Sequence, residues 1–139
     1  MNAGFTFLPH TADVRIQAYA LTLADAFGEA AKAFTTCVTP LEGVAAKESH
    51  AIDLQAKTRE QLLYDFLGEL IYLKDAFHFL PVQAQLTITH DAVWRVHGTV
   101  TGDILTDHET HGDVKAPTYH GMTVSETPVG AELFFVLDI

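Results

Sequence analysis

Cysteine is almost missing from this chain of 139 residues: Cys37 is the single one, so no disulfide can form within it. No basic neighbour and no helix start stands beside it to favour a thiolate, so Cys37 reads as a small buried hydrophobe, not a nucleophile. Positive charge is scarce too. Eight Lys and Arg stand against 18 Asp and Glu, a formal net charge of -10. A surface of that sign repels phosphate backbones, which excludes tight direct binding of RNA or DNA; hard cations, or a basic patch on a protein, are better companions. No apolar run approaches the roughly 18 residues of a membrane span. The opening Met1-Asn2-Ala3-Gly4-Phe5 has neither the basic nor the apolar region of a signal peptide. Together these predict a cytoplasmic protein with no membrane partner. There is no Gly-rich phosphate loop, no G-x-S-x-G, no H-E-x-x-H and no Cys-x-x-Cys, so no enzyme class is indicated.

What is present suits one folded unit. The hydrophobic share is 48% and the charged share 19%, the balance of a chain that buries a core. No internal repeat, low-complexity stretch or linker interrupts it, and we expect residues 1–139 to form a single domain.

Periodicity supplies the elements. From Asp13 to Ala20, Val14, Ile16 and Ala18 alternate with Arg15, Gln17 and Tyr19, the mark of a strand with one buried face. Thr22 is an N-cap with Asp25 three residues on, and Leu23, Ala26, Phe27, Ala30, Phe34 and Cys37 follow at helical spacing toward Pro40. Residues 40–49 read as a loop and Ala51–Ala56 as a short strand. Thr58 and Gln61 form a second capping box, opening a helix of about 20 residues. Its stripe is Leu62, Leu63, Phe66, Leu67, Leu70, Leu73 and Phe77. Pro81 marks a break. Residues 84–89 and 94–101 alternate around His90-Asp91-Ala92 and predict a hairpin. Gly102 to Asp113 reads as a long polar loop. Ala116–Ser125 and Glu132–Asp138 are the last strands, the final one apolar on both faces and therefore expected inside a sheet. The order β-α-β-α followed by four strands predicts an α+β domain, two helices on a mixed, mostly antiparallel sheet.

Four groups of residues are candidates for chemistry. Asp13 and Asp138 sit at strand ends. If the first and last of these strands are antiparallel neighbours, the two carboxylates meet, with the terminal carboxylate of Ile139 beside them, and such an oxygen cluster suits Ca2+ or Mg2+. The plainer reading is two unrelated surface aspartates. Among eight histidines, His108 and His111 lie three apart in the acidic loop with Asp107 and Glu109, a possible zinc or nickel set, although a loop without a rigid frame favours ordinary surface histidines. Asp65 and Glu69 share a helix face at i, i+4; they suit a metal or an acid–base pair, but equally the solvated side of an amphipathic helix. Lys115 with Tyr119 and His120 can hold a phosphate, or be a plain strand-edge lysine.

Four stretches, in order, resemble the archease family: His10-Thr11-Ala12-Asp13, the run Leu63–Leu73 (Leu-Tyr-Asp-Phe-Leu-Gly-Glu-Leu-Ile-Tyr-Leu), Val114-Lys115-Ala116 with Thr118–Met122, and Val136-Leu137-Asp138-Ile139. The resemblance spans essentially the whole chain. It implies a non-enzymatic partner of RtcB-type RNA ligases, which helps the ligase become guanylylated and turn over repeatedly in tRNA splicing or RNA repair. It implies Ca2+, with Mg2+ or Mn2+ as alternatives, held by Asp13, Asp138 and Ile139. Lys115, Glu69 and His120 fall on motif positions and are implied as further working residues. Two positions depart from the pattern: Arg15, where a glycine is common, and Pro117, where a β-branched residue is usual. A proline there removes a ladder hydrogen bond, which predicts an edge or bulged strand.

Overall fold

The computed structural model describes residues 3–8, 13–104 and 112–139. Among them the elements run β1 (Gly4–Leu8), β2 (Val14–Ala20), α1 (Leu23–Thr36), a 3-10 turn (Leu41–Gly43), β3 (Glu48–Ala56), α2 (Arg59–Phe77), β4 (Phe79–His90), β5 (Trp94–Ile104), β6 (Ala116–Thr127) and β7 (Gly130–Asp138). The α+β expectation with two helices holds. The strands, however, form two sheets, ordered β1-β2-β7-β6 and β3-β5-β4, and every pairing is antiparallel.

Both helices start where their caps predict. The Thr22 hydroxyl accepts from the Asp25 amide at 3.1 Å and the Thr58 hydroxyl from the Gln61 amide at 3.0 Å. Each bond satisfies one amide that the first helical turn leaves open. His78, in the left-handed region with φ 57, ends α2 by donating its amide to the Leu73 and Lys74 carbonyls. Pro81 is therefore not the break it was expected to be. It lies inside β4, at a register shift between Pro81 and Gln83. β4 is an edge strand, where a missing amide and a bulge are tolerated.

The expected hairpin is β4 and β5, closed by a turn in which the Val93 amide donates to the Asp91 carboxylate at 3.1 Å. Gly98 sits midway along β5 with φ +143, and a Cβ there would fall 2.0 Å from the Gln85 carbonyl oxygen. Only glycine lets the two backbones approach so closely.

The core joins both sheets and both helices: Ile16, Leu133 and Phe135 from one sheet, Ile52, Val96 and Val100 from the other, all at most 2% exposed. Phe27 of α1 and Phe66 of α2 meet within it, ring centroids 5.2 Å apart. Leu62 through Leu73 of the α2 stripe are buried, but Phe77 is 47% exposed and rests against His50 and Tyr72. β7 lies between β2 and β6, as a strand apolar on both faces must. β6 is an edge strand with a register shift between Thr118 and Thr123, one residue past Pro117, matching the expectation for that proline. β1 was not anticipated. Its phenylalanines, Phe5 and Phe7, sit on one face and touch edge to face at 5.7 Å, while β1 pairs residue for residue with β2. Gly102 and Asp103, expected to open a polar loop, belong to β5, which continues to Ile104, and residues 105–111 of that loop lie outside the described residues. No described helix is long and apolar enough to cross a membrane.

Candidate cation site at one end of a sheet

β2 and β7 pair from Ala20–Ala131 down to Val14–Leu137. Val14 and Leu137 close the apolar face, with Leu137 fully buried. Asp13 immediately precedes β2 and Asp138 closes β7, so both lie at the same end of this strand pair. Both strands leave the core at this point, so a half-buried Asp13 and an exposed Asp138 keep access to water. From the other side Ala116 of β6 pairs with Asp138, and the Lys115 amide donates to the Asp138 carbonyl at 2.8 Å. Ile139 follows Asp138 and is 45% exposed. Asp13 precedes β2, Lys115 precedes β6, and Asp138 closes β7 with Ile139 after it, so the four lie at one end of one sheet. His10 and its neighbours in the first motif lie outside the described residues.

Carboxylates brought close together repel, and the repulsion falls when a cation sits between them. Carboxylate oxygens are hard donors that suit Ca2+, Mg2+ or Mn2+, not a thiophilic metal. Among the described residues no three His, Cys, Asp or Glu side chains converge as a ready-made metal cluster. The oxygen-bearing side chains near this end are those of Asp13 and Asp138, with Ile139 next in the chain.

The remaining candidates are placed around it. His120 lies on the irregular stretch of β6, exposed, its amide donating to the Thr118 hydroxyl at 3.1 Å. Tyr119 beside it stacks on Tyr64 of α2, centroids 4.1 Å apart and planes 4° from parallel. Its phenol donates to Gln61 at 2.7 Å, and Gln61 in turn donates to Asp65 at 3.0 Å. Glu69 is half-buried one turn further along α2. Asp65 thus accepts from Gln61, and Glu69 follows it on the same face of α2. Of the histidine set, His108 and His111 lie with Asp107 and Glu109 outside the described residues. Cys37 caps the end of α1, and burial pushes its thiol up to about 11, so the group is a neutral thiol at physiological pH. A cleft of about 480 Å³ between α1 and β4 includes Ala20 and Leu21, at the opposite end of β2 from Asp13, and belongs to no part of this site.

Sequence reasoning missed one interaction close to the site. Lys74 of α2 is 6% exposed, and its ammonium donates to the Asp113 carboxylate at 2.7 Å and to that of Asp75. Burial lowers the Lys74 pKa, but the two carboxylates outweigh it and the net shift is upward. The same hydrogen bond holds the Asp113 carboxyl below the ordinary range. A signal was available: Leu63, Leu67, Leu70 and Lys74 fall on one helical face, so the lysine continues the buried stripe.

Two helices packed with two antiparallel sheets make this a small α+β protein. The chain belongs to the archease family: the profile of the Archease protein family (MTH1598/TM1083) matches residues 5–139. It is 34% identical to the protein archease of Pyrobaculum neutrophilum, over 99% of this chain and 96% of that one. It is also 34% identical to that of Saccharolobus solfataricus, over 97% and 98%. Its structure is similar to the solution structure of Methanobacterium thermoautotrophicum protein 1598, with a TM-score of 0.80, 28% identity, and 98% and 99% of the two chains covered. A Thermotoga maritima crystal structure, described as an archease and possible chaperone, shares the fold at a TM-score of 0.61 and 16% identity, over 95% of this chain and 94% of that one.

Proposed function

We propose that this protein is a non-enzymatic, cytoplasmic accessory factor that binds a divalent cation, Ca2+ first, through Asp13, Asp138 and Ile139, and activates an RtcB-type RNA ligase. The observation that supports the reading is the pairing of β2 with β7, which sets Asp13, just before β2, at the sheet end where β7 closes with Asp138. Resemblance to the archeases supports the ligase as the partner. An acidic sheet end with Lys115 beside it would enter the ligase near its metal and nucleotide site and favour the guanylylation-competent state. Glu69 and His120 would contact the partner.

A ligation assay with purified components tests this. The protein should convert a single-turnover ligase into a multiple-turnover one, and Asp13→Ala and Asp138→Ala should abolish the gain. Activation by both variants at the wild-type level would overturn the reading.

A second reading is a general chaperone or modulator of RNA-processing enzymes such as RNA methyltransferases. It is favoured by the description of the Thermotoga maritima relative as a possible chaperone. A pulldown separates the two, since the first requires the ligase as the leading partner.

A further inference from the structure

Residues 112–115 carry the chain into β6 without regular strand pairing. Irregular backbone of this kind keeps one shape only if side chains and neighbours over-determine it. Here each of the four residues has its own anchor. Gly112 lies so close to the end of α1 that a Cβ on it would stand 2.5 Å from the Cys37 carbonyl oxygen. The Asp113 carboxylate accepts from Lys74 of α2 at 2.7 Å. The Val114 side chain is buried, 1% exposed. The Lys115 amide donates to the Asp138 carbonyl at 2.8 Å.

Lys74 is the unusual member. A lysine is rarely buried unless it is paired. Asp75, its neighbour in sequence, already supplies one carboxylate from the same helix. The bond to Asp113 is different in kind, because it reaches across 39 positions and ties α2 to the stretch that ends on Asp138. Both carboxylates are mostly exposed, 64% for Asp75 and 63% for Asp113, while the ammonium lies beneath them. The cation is the fixed point, and the chain around Asp113 is what it holds. A charge-assisted hydrogen bond to a lysine that cannot swing into water has more directional force than one to a surface lysine.

We propose that Lys74 is a positioning residue for the cation site: through Asp113 it fixes residues 112–115, and with them the Lys115 amide on the Asp138 carbonyl. This rests on reading the Asp13–Asp138 end as the working site. The upward shift of Lys74 and the downward shift of Asp113 agree with a pair that stays charged.

The test is amide hydrogen exchange, read by NMR on the full chain for wild type, Asp113→Asn, Lys74→Met and Lys74→Arg. A positioning role predicts exchange at the Lys115 amide faster by about tenfold in Asp113→Asn. Amides of β5, the central strand of the other sheet, should stay within about twofold. Lys74→Met should behave alike, and Lys74→Arg should restore part of the protection. Asp113→Asn keeps the test decisive if Lys74→Met does not fold, since it changes only a largely exposed side chain. Unchanged Lys115 exchange, or equal acceleration in both sheets, would overturn the proposal. Calcium titration of the same samples separates this idea from the one beneath it. A wild type that does not bind Ca2+ defeats the cation reading alone, and the exchange data still decide on Lys74. A wild type that binds Ca2+, with Asp113→Asn binding equally well despite faster exchange, would show that the site does not depend on this stretch.

Discussion

The backbone amide of Lys115 donates to the carbonyl of Asp138 at 2.8 Å, joining the start of β6 to the end of β7 at the point where β2 begins. That bond ties the last residue of β7 to the segment that leads into β6.

Calcium affinity should depend on both aspartates. Asp13→Asn and Asp138→Asn are each expected to weaken Ca2+ binding by at least about tenfold in calorimetry, since each removes one of few charged oxygen donors. A fusion after Ile139 should weaken it as well, and a fusion before Met1 should not. Equal affinity in the two fusions would remove Ile139 from the ligand set.

The Lys74–Asp113 pair gives stability a definite pH dependence. Asp113 is depressed, chiefly by its hydrogen bond to Lys74, so its contribution is present above the unfolded value of about 3.9 and fades as pH falls through the lower folded value. Lys74 is raised, so its contribution is present below about 10.4 and fades as pH rises through the higher folded value. The pair therefore acts between about pH 4 and pH 10. Urea midpoints of wild type and Asp113→Asn should differ at pH 7 and converge near pH 2. The gap will be modest, because the Asp113 side chain is 63% exposed and water screens it. A gap that persists undiminished into acid would remove the ion pair as its cause.

Cys37 should alkylate slowly. With its thiol at about 11 instead of 9.0, the thiolate fraction at pH 8 is lower by about a hundredfold. Iodoacetamide labelling followed by mass spectrometry should show a correspondingly slow reaction in the native protein and a fast one in urea. Rapid native labelling would contradict the burial of the thiol.

Two substitutions should rank in stability by mechanism. Phe66→Ala empties the meeting point of the two helices and should cost about 3–5 kcal/mol. Thr58→Ala removes only an N-cap bond and should cost about 1 kcal/mol. Urea denaturation measures both, and a cap loss as large as the core loss would reverse the argument.

Much of this fold is legible as local pattern. Thr22 and Thr58 cap helices because their hydroxyls reach amides three residues away, and the α2 stripe is buried because its spacing matches a helical turn. β1 was illegible for a related reason. A strand of five residues, Gly4–Leu8, is too short for its Phe5–Phe7 alternation to stand out. Pro81 was misread because proline ends helices and central strands but not a bulged edge strand, and edge status is a property of the sheet. Phe77 and Lys74 show the limit within one helix. Both continue apolar spacing, yet the lysine is buried and the phenylalanine exposed, since Asp113 arrives from a distant segment to satisfy the charge.

For the site the division is the same. The sequence alone determined which residues bear oxygen donors, that the chain is acidic, and that Asp13 and Asp138 end strands with one and two apolar faces. Only the tertiary structure decided that those strands are neighbours, that Asp13 and Asp138 therefore lie at one end of one sheet, and that the Lys115 amide bonds to Asp138 there. Strand pairing is made by backbone groups that every residue possesses, so no local pattern encodes which strand will lie beside which. The packing of the whole core against two helices makes that choice.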